Sequence, residues 1–229
     1  MKTIGLLGGM SWESSALYYK LINELVRDRL GGLHSARCVM ASVDFADVEQ
    51  LQAAGEWTKA GELLAAEAQR LEAGGADFVV LCTNTMHKVA EAIEAAVQIP
   101  LLHLADVTAE AVSTTGTNTV GLLGTAFTME QDFYRDRITG HGLTVLVPDA
   151  AERKLVHRVI YDELVQGVIS DGSREKFVSI IASLAARGAQ GVILGCTEIE
   201  LLIDQESSPL PVFPTTRLHA EAAVRLALE

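Results

Sequence analysis

Positive charge is in short supply: 18 Lys and Arg face 30 Asp and Glu across 229 residues, a net charge of −12 and a pI near 4.9. No cluster of Lys or Arg offsets that balance, which argues against a surface that tracks nucleic-acid phosphates. Long apolar runs are missing too. Mean hydropathy is +0.25, yet no stretch approaches the roughly 18 residues that a membrane-spanning helix needs. The first apolar run, Ile4 to Leu7, stops at Gly8-Gly9 and is soon followed by Glu13, so it is too short for a secretory signal. Cysteines number three, Cys38, Cys82 and Cys196, spaced 44 and 114 apart. That odd, wide spacing fits reduced thiols in the cytoplasm and neither a disulfide framework nor a CxxC metal knuckle. The glycine turns contain neither Gly-Lys-Ser/Thr nor G-x-G-x-x-G, which argues against a nucleotide site. His34, His103, His141, His157 and His219 show no metal-ligand spacing, so no metal is expected.

What is present is an ordinary globular composition, 49% hydrophobic and 21% charged. Short β-branched runs alternate with amphipathic stretches. The expected strands are Thr3–Leu7, Cys38–Val43, Phe78–Leu81, Leu101–Leu104, Thr119–Leu123, Thr144–Val147, Val192–Leu194 and Val212–Phe213. Helical patterns cover Ser14–Arg29, Lys59–Glu72, His87–Val97, Glu152–Val165 and Arg174–Ala186, among others. Such alternation predicts an α/β protein with short, mainly parallel sheets flanked by helices.

The chain also repeats itself. The segment from Thr3 to Gly8 (TIGLLG) returns from Thr119 to Gly124 (TVGLLG) at an offset of 116. The segment from Gly75 to Thr83 (GADFVVLCT) returns from Gly188 to Thr197 (GAQGVILGCT), with the cysteines offset by 114. Ile99-Pro-Leu-Leu is echoed by Leu210-Pro-Val-Phe. Three segments in one order at nearly constant offset predict two pseudo-symmetric domains, 1–104 and 105–214, with the final helix, 215–229, free to pack on either.

Each half places a cysteine at the end of a buried strand, just before a helix start, where open parallel sheets bind ligands. A thiol there meets unpaired N–H groups that favour its thiolate. Thr83, Asn84 and Thr85 add hydroxyls, an amide and successive N–H groups suited to a carboxylate, and Thr197 stands in the matching place of the other half. If the domains face one another across a cleft, two thiols on opposite sides of one ligand suit removal of a proton from one face and delivery to the other. The turns at Gly8-Gly9-Met10-Ser11 and Gly124-Thr125 either are simple strand-to-helix turns or bring N–H groups to a small anion. Gln52, between a strand and the Gly55 break, offers a polar arm. Glu198 could raise the Cys196 pKa, relay its proton or stabilise a helix start. His87 falls inside the helix after Thr85, and Cys38 reads as a core residue.

The motifs GLLGGMSWES (Gly5 to Ser14), LGGLHSA (Leu30 to Ala36), LCTNTMHK (Leu81 to Lys88), LLGT with TMEQDFY (Leu122 to Tyr134) and GCTEI (Gly195 to Ile199) resemble the aspartate/glutamate racemase family. The similarity spans essentially the whole chain and is greatest to bacterial amino-acid racemases of broad or L-aspartate/glutamate specificity. It implies a cofactor-independent isomerase, a cleft site between the domains, and a homodimer acting on a small amino-acid substrate. It further implies Cys82 and Cys196 as the catalytic pair, Thr83, Asn84 and Thr85 as the α-carboxylate loop, and Met10, Gln52, Thr125 and Thr197 as substrate neighbours. One departure bears on specificity. Some aspartate-selective members carry a lysine where Gln166 precedes Gly167, so glutamate or an uncharged side chain such as homoserine's becomes a plausible substrate. Hydantoin racemase, maleate isomerase or decarboxylase activity, and a non-catalytic carboxylate binder, are the competing expectations.

Overall fold

The computed structural model describes every residue from Met1 to Glu229. Eight short strands form, each within two residues of its expected segment, and build two four-stranded parallel sheets. In the first, β1 (Ile4–Gly8) lies between β2 (Cys38–Ser42) and β3 (Phe78–Leu81), with β4 (Leu101–Leu102) beyond β3. In the second, β5 (Thr119–Gly124) lies between β6 (Thr144–Leu146) and β7 (Gly191–Gly195), with β8 (Val212–Pro214) beyond β7. The order β2-β1-β3-β4 therefore recurs as β6-β5-β7-β8. The chain divides into two compact units, Met1–Leu104 with His219–Glu229, and Ala105–Leu218.

In the first unit the central strands β1 and β3 bury both faces, while β2 at the edge stays partly exposed. Ile4 and Leu6 of β1 and Phe78 and Val80 of β3 pack with Tyr18, Ile22 and Val26 of α1 (Trp12–Leu30) and with Ala220, Ala223, Val224 and Ala227 of α10 (Thr215–Leu228). Leu7, Val79 and Leu81, one residue out of phase, pack instead with Leu64, Ala68 and Leu71 of α3 (Trp57–Ala73) and Ile93 of α4 (Ala90–Ala96). Cys82 continues the Phe78–Val80 parity and so falls on the α1 side. In the second unit Leu123, Val192 and Leu194 meet α8 (Ala150–Asp162) and α9 (Asp171–Ala186) through Val156, Ile160, Phe177 and Ile181. Val120, Leu122 and Ile193 of the opposite parity are fully buried as well.

Four helices go beyond the stretches that periodicity singles out: α2 (Phe45–Ala53), α5 (Leu104–Thr114), α6 (Ala126–Glu130) and α7 (Asp132–Gly140). Two expected helices are subdivided. The His87–Val97 pattern opens as a 3₁₀ turn at Thr85–Val89 before α4, because the His87 ring is held by tertiary bonds to Thr83 O at 2.7 Å and Leu104 N at 3.2 Å. The Glu152–Val165 pattern ends with α8 at Asp162, and a 3₁₀ turn, Leu164–Gln166, closes on Gly167 at φ +75°.

Candidate active site

In the first unit, β1 and β3 end side by side, with Leu7 opposite Leu81 and the Cys82 N–H donating to Leu7 O at 2.9 Å. The turn after β1 admits no side chains. A Cβ on Gly8 would meet Ser15 Oγ at 2.3 Å, and one on Gly9, at φ +96°, would meet Val43 O at 2.2 Å. That clearance lets Ser15 Oγ accept the Gly9 N–H at 2.8 Å. Ser11 caps α1 by accepting the Ser14 N–H at 3.2 Å, and Ser14 Oγ donates to Cys82 O at 3.1 Å. The serine-rich start of α1 thus holds the main chain at Cys82. The Cys82 side chain is wholly buried, and its Sγ lies 3.6 Å from Val80 O. Burial pushes this thiol well above its ordinary range.

Thr83, Asn84 and Thr85 follow directly, with Asn84 and Thr85 buried and Thr83 partly so. His87 anchors this loop from behind. Its Nε2 accepts the Leu104 N–H, so Nδ1 carries the proton and donates to Thr83 O. Those bonds use both ring nitrogens, and His87 is a positioning residue. Met10 is buried in the same cluster as Met86. Gln52, the polar arm expected before Gly55, sits on α2, is 6% exposed, and donates from Nε2 to Met86 Sδ at 2.9 Å.

The second unit repeats this frame with different furnishings. Leu123 and Gly124 of β5 lie opposite Leu194 and Gly195 of β7. A Cβ on Gly195 would come within 2.9 Å of Leu123 O, and one on Gly124 within 3.0 Å of Gly195 O, so the two strand ends approach closely. Thr125, buried, caps α6 by accepting the Thr128 N–H at 3.3 Å, and the His157 Nδ1 accepts the next N–H, that of Ala126, at 3.2 Å. Burial lowers the His157 pKa, which keeps that nitrogen an acceptor. Cys196 is partly buried, and its Sγ donates to Glu198 Oε2 at 2.8 Å. Burial first, and then the charges of Glu198 and Glu200, push this thiol well above its ordinary range. Thr197 Oγ1 accepts from Thr216 Oγ1 at 3.2 Å, and Glu200 accepts the Thr216 N–H at 3.2 Å at the start of α10. Burial lifts the Glu200 pKa to about 7.

The residues that sequence reasoning missed are supporting ones: Ser14 and Ser15 behind Cys82, and Thr215, Thr216 and Glu200 behind Cys196. The Ser11-x-x-Ser14 spacing and the Thr pair after Pro214 were the available signals, since hydroxyls gather at helix starts. Cys38 stands apart from the site, because it pairs with Ile4 at the opposite end of the strands from Cys82. Gln166 is exposed beside Gly167, and Arg135 is paired with Asp132 on its own helix.

Each unit alone thus presents a strand-end thiol beside a threonine and a glycine-lined turn. A Yersinia pestis protein provisionally assigned as an Asp/Glu racemase is 52% identical, with a TM-score of 0.95 and full coverage of both chains. An aspartate racemase homologue from Pyrococcus horikoshii OT3 is 33% identical, with a TM-score of 0.89 and again full coverage of both. The broad specificity amino-acid racemase RacX of Bacillus subtilis is 24% identical over 160 residues, covering 69% of this chain and 67% of that protein. The sequence pattern of the Asp/Glu/hydantoin racemases matches residues 7–223, and the chain belongs to that family.

Proposed function

We propose that the protein is a cofactor-independent amino-acid racemase that inverts the α-carbon of aspartate, glutamate or a similar polar amino acid by proton transfer between Cys82 and Cys196. The observation that carries this is the repetition of a thiol followed by threonine at the end of β3 and of β7, on two sheets of one strand order. Inversion of a stereocentre needs two acid/base groups, one for each face of the carbon. In this mechanism one cysteine, as thiolate, takes the α-hydrogen and the other, as thiol, returns a proton to the opposite face. Thr83, Asn84 and Thr85 receive the α-carboxylate, whose charge the loop's hydroxyls, amide and N–H groups offset. Met10, Gln52, Thr125 and Thr197 border the remainder of the substrate.

The experiment is incubation of single enantiomers in deuterium oxide, across a panel of polar amino acids. Racemisation accompanied by exchange of the α-hydrogen is expected, in the presence of chelators and hydroxylamine and with loss of activity to iodoacetamide. Retention of the α-hydrogen would overturn the reading. We further propose that the enzyme works as a homodimer in the cytoplasm. Trp12 and Tyr19 of α1, two turns apart and 68% and 51% exposed, support such a contact, which light scattering would test.

A further inference from the structure

Cys82 and Cys196 end equivalent strands, yet the residue two places on differs: Asn84 in one half, Glu198 in the other. Glu198 turns back so that Oε2 accepts the Cys196 S–H at 2.8 Å, whereas Cys82 Sγ has the neutral carbonyl of Val80 at 3.6 Å. The charged groups facing Cys196 are Glu198 and Glu200, both on the 3₁₀ turn that follows it; Arg217 of α10 faces Glu200. Burial acts first on Cys82, with a lesser contribution from Cys38 at the far end of the strands and none from a carboxylate.

We propose that Glu198 fixes the order in which the two thiols ionise: Cys196 rests as the proton donor of the pair, and Cys82 ionises first and serves as the resting base. This rests on the racemase reading above. A carboxylate is a weaker base than a thiolate by about four pH units, so the proton shared across the Cys196–Glu198 contact stays on sulfur. The negative charge left on Glu198 then opposes a second one on Sγ. Burial opposes ionisation of both cysteines, and at Cys196 a charge in hydrogen-bond contact adds a displacement of roughly one to three units.

In the resulting step the Cys82 thiolate forms an S–H bond as the α-carbon's C–H bond breaks, leaving the electron pair on that carbon. The pair then takes the proton of Cys196 on the opposite face, and Cys196 is left as thiolate. Exchange with water, reached through the partly exposed Glu198, returns the proton to Cys196 and removes the one on Cys82. The resting enzyme therefore accepts at once the enantiomer whose α-hydrogen meets Cys82. Its mirror image waits for the protons to exchange.

Glu198→Gln tests the proposal through alkylation of Cys196 by iodoacetamide, followed by peptide mass spectrometry. Removing the charge lowers the Cys196 pKa and raises its thiolate fraction faster than it weakens the thiolate, since nucleophilicity follows pKa with a slope of only about 0.4–0.5. A fall of about two units gives roughly tenfold faster alkylation near neutral pH, and the basic limb of the racemisation profile moves to lower pH. Slower or unchanged alkylation in a variant of undiminished melting temperature would overturn the proposal, because a carboxylate that activates the thiol gives that sign. Should the variant fail to fold, the unaltered protein decides: Cys196 alkylation rises well past about pH 8.5, and a plateau below it overturns the proposal. Alkylation needs no turnover, so failure to racemise with faster alkylation defeats the racemase reading alone.

Discussion

At the scale of single residues, the proposed mechanism makes Cys82 and Cys196 one unit and leaves Cys38 outside it. Replacing Cys82 or Cys196 by Ala should each remove racemisation almost as fully as replacing both, a loss of at least roughly 10²–10⁴-fold in kcat. Cys38→Ala, at the far end of the strands, should leave turnover nearly intact. Substantial racemisation by Cys82→Ala would defeat the two-base assignment. In the proposed racemase, Gln166, exposed before Gly167, would offer the side chain of a substrate a neutral donor in place of a cation. Gln166→Lys should therefore shift kcat/KM towards aspartate, by on the order of tenfold if one charged contact is worth about 1.5 kcal/mol. An unmodified enzyme that turns over aspartate alone would contradict this account of position 166. Cys82-Thr83 and Cys196-Thr197 were legible as a repeated pair in the sequence, though Asn84 and Thr85 have no counterpart beside Cys196. The partner of Glu198 was not, since a carboxylate two residues from a thiol can turn to solvent, helix or sulfur, and backbone geometry selects the sulfur.

At the scale of elements, the strand-to-helix turns set the demands. Gly8→Ala would drive a methyl group to 2.3 Å from Ser15 Oγ, the atom that accepts the Gly9 N–H. Relief means moving α1 or its serine, at a cost of about 1–3 kcal/mol. Denaturant unfolding should record that loss, and a variant as stable as the parent would show that α1 yields freely. Strands were easy to read in the sequence because buried parallel strands are continuous apolar runs. The helices α2, α6 and α7 were harder. They span nine, five and nine residues, too few turns for a 3.6-residue period to stand out, and tertiary contact rather than propensity stabilises helices of that length.

At the scale of the whole molecule, one buried group in each unit gives a pH dependence of opposite sign. His219 in the first unit is wholly buried, accepts from Tyr18 OH at 2.9 Å on Nδ1 and donates from Nε2 to Leu102 O at 2.8 Å. Burial, with the nearby His87, lowers its pKa from 6.5 to about 3. Between those values the unfolded chain binds the extra proton, so stability from this group is complete above pH 6.5 and is lost as pH falls, by about 1.4 kcal/mol per unit. Glu200 in the second unit rises from 4.5 to about 7. There the folded state binds the extra proton, and stability declines as pH climbs through that window. Hydrogen exchange resolved by peptide should show first-unit amides opening on acidification and second-unit amides opening from about pH 4.5 to 7. Glu200→Gln should abolish the second trend and spare the first. Identical pH responses in both units would refute the assignment.

The membership of α10 has a further consequence during synthesis. Ala220, Ala223, Val224 and Ala227 complete the apolar cluster formed by β1, β3 and α1, yet they follow every residue of the second unit. A nascent chain that has just exposed Leu104 has one face of its first sheet uncovered. At about 5–20 residues per second, the remaining residues take on the order of ten seconds or more to arrive. Throughout that interval Ile4, Leu6 and Val80 lack the small-residue helix that seals them, while Ala105–Leu218 can close around its own cluster without waiting. The segment translated first is thus completed last, and its unsealed sheet face is the surface that a ribosome-associated chaperone would have to shield.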